Sequence, residues 1–447
     1  MTQGVRRRAW IPEVLIAGLT ALSLPLFVRR LLGAFGEFPW DFSIFWTAAR
    51  GMTQGLSVYG HEDLRATGVS LIGPQMEATF RTTFNSFIEL PTTAFIFYPF
   101  ARLPFAEARA AFAVVAVVAF LSSVIIASRA LPADDRRLGL LLGALFLTSS
   151  FAVPASIGVG QVDALVALAL AGSVWSLRRF REGSAGAFAA LAGLLKVSPG
   201  LVILQALMRR KWRLAGAGIL TAAGLLLAAM ISMRPGEISA FVRDVVPALS
   251  VAPAGMENQS LTAWAARILG PPSSLVDLGG SLGPFAALAP VIALVLLAAI
   301  VRLTLRRPVT PLEVSLVAIA GLLAGPVTWT HYASFGVVFA VMLGDRGRWR
   351  ALSRGKRRMG LVFSACGYAF LCLPVYLLPH RLDPARIFSE ESVRAHPVLR
   401  LASGIHAFAF LAFFVAGLIL LSGNVDDEPL ERVRRAETDA DCDAMKS

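Results

Sequence analysis

Apolar runs recur along almost the whole chain, separated by short polar connections. Twelve of them approach the roughly 20 residues that a helix needs to cross a bilayer, in a range of about 17 to 25. They fall at 11–28, 84–101, 106–130, 138–153, 161–177, 185–208, 214–232, 282–304, 311–328, 331–344, 359–378 and 397–422. An even number of crossings leaves both termini on one side. Two runs carry breakers: Lys196-Val-Ser-Pro199 interrupts 185–208, and Gly325-Pro326 precedes 331–344, where proline removes a backbone donor. Irregular backbone at membrane depth belongs where it lines a cavity. Within the longest connection, 29–83, Phe42, Phe45, Trp46 and Ala49 recur at helical spacing, which predicts an amphipathic helix over 42–54 lying in the interface.

Composition fixes the class. Of 447 residues, 56% are hydrophobic and 16% charged, and mean hydropathy is +0.66. A soluble domain has about 45–50% apolar and about 25% charged residues, so this is an all-α polytopic membrane protein. The net charge of +13 does not point to nucleic acid. Its cations sit in short clusters between apolar runs, at 6–8, 209–213, 302–307 and 346–358, where they act as topology signals. The positive-inside bias puts both termini and the 346–358 connection in the cytoplasm, and the connections 29–83, 233–281 and 379–396 outside. Arg178, Arg179 and Arg181 break the pattern, because they fall outside if every run crosses. Two half-helices in 185–208, with a compensating re-entrant piece upstream, would remove the conflict; full crossing is the working reading. The transmembrane unit covers 1–422. The acid-rich tail 423–447 lacks apolar periodicity and reads as a disordered cytoplasmic segment. Three cysteines form neither a disulfide framework nor a metal spacing.

Candidate chemistry gathers in the outer connections. Asp41 follows the first run and opens the predicted helix, so it either caps that helix or acts on a substrate. Arg81, Asn85, Glu89, Arg243, Asp244, Glu257, Asn258 and Gln259 are too many polar groups for plain connectors, and they suggest a hydrophilic chamber. His331 lies where a run emerges on the same side; it is either an interfacial residue beside aromatic neighbours or a donor to an anionic oxygen. Lys196 inside an apolar run costs about 2.5–3.5 kcal/mol at a helix centre, so it needs a partner, a cavity or a route to snorkel. Gln161 and Asp163 stand at a helix start, where Asp163 can be a cap. There is no Walker A loop, His/Cys metal cluster or regular intramembrane series of charges, so neither phosphate-driven pumping nor a cofactor is called for.

In order, these landmarks resemble a known family. Asp41 with Ala48-Ala-Arg-Gly51 and Gly55-Leu-Ser-Val-Tyr59, then Tyr98-Pro99 with Leu103-Pro104, then Gly160-Gln161 with Leu195-Lys196-Val-Ser-Pro199 and Arg209-Arg-Lys-Trp-Arg213, then Asn258-Gln-Ser-Leu261 and Pro326-Val-Thr-Trp329-Thr-His331 resemble glycosyltransferase family 87. These are C-type enzymes that use polyprenyl-phosphate sugars, and they include phosphatidylinositol mannoside mannosyltransferases. The resemblance implies a C-type fold, an inverting transfer of a sugar, mannose first, to a lipid or glycan acceptor, and an active site on the outer face of the cell membrane. It implies that Asp41 is the catalytic acid of the first outer loop and that His331 lies near the donor phosphate. Lys196 and Arg81 are further candidates for that phosphate, and Gln161, Asn258, Gln259, Trp329 and Tyr59 for substrate contact. Phe97 ahead of Tyr98 and Thr330 between Trp329 and His331 depart from the family pattern. A twelve-span secondary transporter is the alternative, since broken helices also occur there, although the large first loop has no counterpart in the second half.

Overall fold

The computed structural model describes residues 3–80, 87–247, 258–269, 285, 287–372 and 401–423. Apart from an isolated bridge between Asn258 and Trp329, the regular elements among them are helical. In chain order they are α1 (Gln3–Gly36), α2 (Trp40–Thr53), α3 (His61–Leu71), α4 (Pro91–Phe97), α5 (Phe105–Ser128), α6 (Arg136–Ser149), α7 (Ala152–Val159), α8 (Asp163–Arg178), α9 (Glu182–Leu195), α10 (Leu201–Met208), α11 (Trp212–Ser232), α12 (Leu261–Leu269), α13 (Leu288–Thr304), α14 (Pro311–Ala324), α15 (Val337–Met342), α16 (Arg354–Cys372) and α17 (Ile405–Leu421), with short turns between them.

Among the described residues, three helices are long and apolar enough to cross a membrane: Pro12–Gly36 within α1, Phe105–Ser128 and Trp212–Ser232. The α6–α7 pair, bent by 62°, makes a fourth if read as one broken span. Their exposed apolar side chains, such as Leu22 at 78%, Leu220 at 74% and Ile231 at 77%, have no protein cover, which in a membrane is the face presented to lipid. The shorter apolar helices α8, α14, α15 and α17 are instead almost wholly buried and form the centre.

Polar contacts define two ends. At the basic end, Glu13 of α1 pairs with Arg137 at 3.3 Å and Arg346 at 2.5 Å, the Arg346 amide donates to Asp135, and Arg307 donates to the carbonyls of Leu421 and Gly423. At the opposite, polar end lie Asp41, Glu89, Lys196 and His331.

These ends correct two of the twelve expected crossings. Of the run 84–101, the described part from residue 87 forms the seven-residue α4 and a following turn, about 10 Å of helix at 1.5 Å per residue. Both flanks are held at the polar end: Tyr59 donates to the Glu89 carbonyl, while Trp46 and Arg50 of α2 donate to the carbonyls of Phe100 and Ala101. The run 185–208 is likewise two half-helices. Its entry at Arg181–Gly183 and its exit at Lys211–Arg213 line one cavity at the basic end, whereas its break at Lys196 reaches Glu89 at the polar end. The hairpin closes tightly because both arms meet at glycine, a Cβ on Gly193 falling 2.9 Å from the Gly200 Cα. Gly186 lets α9 touch α11, since a Cβ there would lie 2.0 Å from the Leu214 carbonyl oxygen. This hairpin places Arg178 and Arg181 at the basic end, beside Lys211 and Arg213. The expected helix over 42–54 forms as α2, and Phe42, Phe45, Trp46 and Ala49 are all buried.

Candidate active site

The polar end is assembled by one close approach. Gly160, between α7 and α8, has φ +77°, a left-handed conformation that side chains rarely adopt, and a Cβ there would lie 2.3 Å from the Phe42 Cβ. Glycine at this corner lets α2 lie directly on the bundle. Phe42 then stacks into a ring cluster with Phe97, Phe105 and Phe112 at centroid distances of 5.9, 5.6 and 5.6 Å. Burial of this face fixes the start of α2, and with it Asp41. The N-cap of α2 is Pro39 and no side chain caps the helix, so Asp41, in the first turn, is not the cap that its position allowed.

Across from it, Gly325 and Pro326 end α14, and Thr330–Gly336 forms a 3₁₀ turn before α15. That turn presents His331, whose Nε2 lies 3.8 Å from the Asp41 Oδ2. The separation exceeds a hydrogen bond, and a hydroxyl oxygen can sit within bonding reach of both groups. His331 Nε2 is buried and has no hydrogen-bond partner among the described residues.

Beside this pair lies a buried cation. Lys196, 4% exposed, donates to Glu89 at 2.5 Å and to the Tyr332 hydroxyl at 2.8 Å, with its ammonium 4.2 Å from the Tyr332 ring centroid. It does not snorkel; its cost is offset by a carboxylate and an aromatic face. The Asp163 carboxylate is fully buried beside the Ser156 hydroxyl and forms no ion pair among the described residues, and the charges of Lys196, Asp41 and Glu89 act on it. The N-cap of α8 is Val162, without a side-chain cap, so Asp163 is not a cap either.

The other expected site residues divide. Tyr59 hydrogen-bonds the Glu89 carbonyl at 2.7 Å and packs on Phe87, and burial raises its hydroxyl pKa well above the ordinary value, so it stays neutral. Gln161 accepts from the Val162 amide, which orders the start of α8. Asn258 donates to the Pro326 carbonyl and accepts from the amides of Ser260 and Thr328. Gln259 donates to the Ser403 carbonyl and accepts from the His406 amide. These two amides tie the turn carrying Trp329 and His331 to α12 and α17, and Trp329 itself is half-buried against Asn258. Arg81, Asn85 and Glu257 lie outside the described residues. Arg243 and Asp244 pair with each other in solvent. Reading the sequence missed Glu89 and Tyr332 as partners of Lys196 and gave Asp163 too modest a place. The signal for Asp163 was an acid opening a wholly apolar run. No group of three or more His, Cys, Asp or Glu able to hold a metal occurs among the described residues.

The glycosyltransferase family 87 model matches residues 87–326, more than half of the chain. The chain belongs to glycosyltransferase family 87. It is therefore a membrane glycosyltransferase, and the transporter alternative loses its ground. No curated protein matches its sequence. The matched stretch begins two residues before Glu89 and contains Asp163, Lys196, Asn258 and Gln259. Asp41 and His331 lie outside it on either side, and the fold brings them together.

Proposed function

We propose that this glycosyltransferase transfers a sugar, mannose in the first instance, from a polyprenyl-phosphate donor to a hydroxyl of a lipid or glycan acceptor, with inversion at the anomeric carbon. Asp41 is the general base. The acceptor oxygen bonds to the anomeric carbon as the bond from that carbon to the phosphate oxygen breaks. The acceptor proton goes to Asp41, and the electron pair leaves with the lipid phosphate. His331 donates to a phosphate oxygen, and Lys196 and Arg81 supply positive charge where negative charge grows. A lipid monophosphate leaves with less charge than a nucleotide diphosphate, so cationic side chains suffice.

The observation that carries this reading is the approach of Asp41 and His331 to 3.8 Å beside the buried Lys196. The polar end faces outside, because the basic 346–358 connection belongs to the cytoplasm. Nucleotide sugars do not reach that face, and a lipid-carried donor does. Purified enzyme given radiolabelled polyprenyl-phosphate mannose and membrane lipid acceptors should form labelled product, and nucleotide-activated mannose should give none. Turnover with the nucleotide sugar alone would overturn the donor assignment. Single cysteines at Ser57 and Ser353, in a background without the native three, report sidedness: an impermeant maleimide should label position 57 and not 353 in intact cells.

A further inference from the structure

The basic end contains a cavity of about 1190 Å³, far from the site at the polar end. Its cations come from separate parts of the chain: Arg178 at the end of α8 and Arg181 after it, Lys211 and Arg213 at the start of α11, and Arg306 before α14. None of these five side chains forms an ion pair or hydrogen bond among the described residues. The carboxylates in the lining are Asp345, which pairs with Arg348 at 3.3 Å and whose charge also acts on Arg178, and Glu182, so cations remain in excess. The walls between the cations are apolar, from Leu131, Leu177, Phe180, Leu312 and Met342.

Two strained turns build this arrangement. Phe180 and Arg210 have φ of 55° and 56°, in the left-handed region that disfavours bulky residues. Each ends a helix with a wide closure, Arg181 N to Ser176 O at 3.0 Å and Lys211 N to Ala206 O at 2.8 Å, where glycine is the ordinary choice. In both, the next residue is a cavity cation. Topology signals need only lie near the membrane surface; these converge on one partly open cavity, with backbone strain at the points where they turn into it.

We propose that this cavity binds the headgroup of an anionic phospholipid, with its phosphate among Arg178, Arg213 and Arg306 and its glycerol and first acyl carbons against the apolar walls. Mixed cationic and apolar lining suits an amphiphilic phosphate better than a soluble anion, whose hydration the apolar walls cannot replace. The inference stands apart from the identity of the sugar donor.

Full-length protein in neutral detergent should gain on the order of 3 °C in unfolding temperature with phosphatidylglycerol and nothing comparable with phosphatidylcholine. The Arg178→Gln/Arg213→Gln/Arg306→Gln variant should lose that gain while keeping turnover at the opposite end, which confirms its fold. If the triple variant does not fold, the exposed single substitutions Arg181→Gln and Arg306→Gln should each reduce the gain. An equal gain in wild type and variants overturns the site. An equal gain with inorganic phosphate overturns the lipid and leaves a soluble anion.

Discussion

The buried charges at the two ends of the bundle are handled in opposite ways. Toward the basic end, Glu313 of α14 is fully buried and receives Arg209, Gln205 and Thr304, while Arg209 also reaches the carbonyls of Thr304 and Arg307. Glu313 further completes a capping box with Thr310. That network gives the Glu313 carboxylate a cation, an amide and a hydroxyl and joins α10, α13 and α14, although the Gln205 Oε1 and the Arg209 Nε have no partner among the described residues. At the polar end, Asp163 is as deeply buried but has no cation bonded to it, only the neighbouring Ser156 hydroxyl, and the buried His331 Nε2 has no hydrogen-bond partner among the described residues. An unmet buried polar group costs about 1–3 kcal/mol, more when charged. The buried carboxylate toward the basic end holds a cation directly, as a clasp, whereas the buried carboxylate at the polar end has no cation bonded to it.

The largest effect should come from Asp41→Asn. Amide for carboxylate keeps the shape and removes the proton acceptor, so turnover should fall about 100- to 10,000-fold with donor binding and unfolding temperature nearly unchanged. Retention of more than half of wild-type turnover defeats the assignment of the base; equal loss of donor binding makes Asp41 structural.

Glu313→Ala should invert that profile. Leaving the Arg209 guanidinium buried without its carboxylate should cost about 3–5 kcal/mol of stability, while turnover per folded molecule stays near wild type. A variant as stable as wild type would mean that the clasp is not one, and the contrast between the ends would lose its basis.

His331→Ala sharpens the comparison further. A hydrogen bond to a charged phosphate contributes about 1.5–3 kcal/mol, so donor binding or turnover should fall by roughly 10- to 150-fold with little loss of folded protein. A donor-bound structure with His331 remote from any phosphate would defeat it.

The residues that the fold brings together at the polar end were legible to different degrees, for reasons that differ by residue. Asp41, Lys196 and His331 stood out because ionisable groups at or within apolar runs are costly, and cost singles out position. Their mutual approach was not legible, since it depends on Gly160 admitting Phe42 at a corner whose backbone angle no periodicity reveals. The two re-entrant pieces were half legible: the stranded Arg178–Arg181 cluster announced an error of parity, but apolar length alone could not say which runs fold back. Asn258 and Gln259 were read as polar, correctly, yet a sequence does not say whether an amide faces a ligand or a carbonyl. Here both are engaged by backbone.

The smallest expected effect separates capping from chemistry. Thr310 caps α14 through the Glu313 amide, so Thr310→Ala should cost about 1 kcal/mol of stability, in a range of about 0.5–2, and leave turnover alone. Asp41 sits in the first turn of α2, whose N-cap is Pro39, so its carboxylate gains at most the helix-dipole interaction of about 0.3–1 kcal/mol. Asn serves as a cap about as well as Asp, whereas Ala does not. If Asp41 were acting as a cap, Asp41→Asn would keep both stability and turnover, and Asp41→Ala would lose stability as Thr310→Ala does. If it is the base, Asn and Ala should abolish turnover alike, and neither should shift unfolding as far as Thr310→Ala. Parallel melting curves and initial rates for the three variants decide between these outcomes.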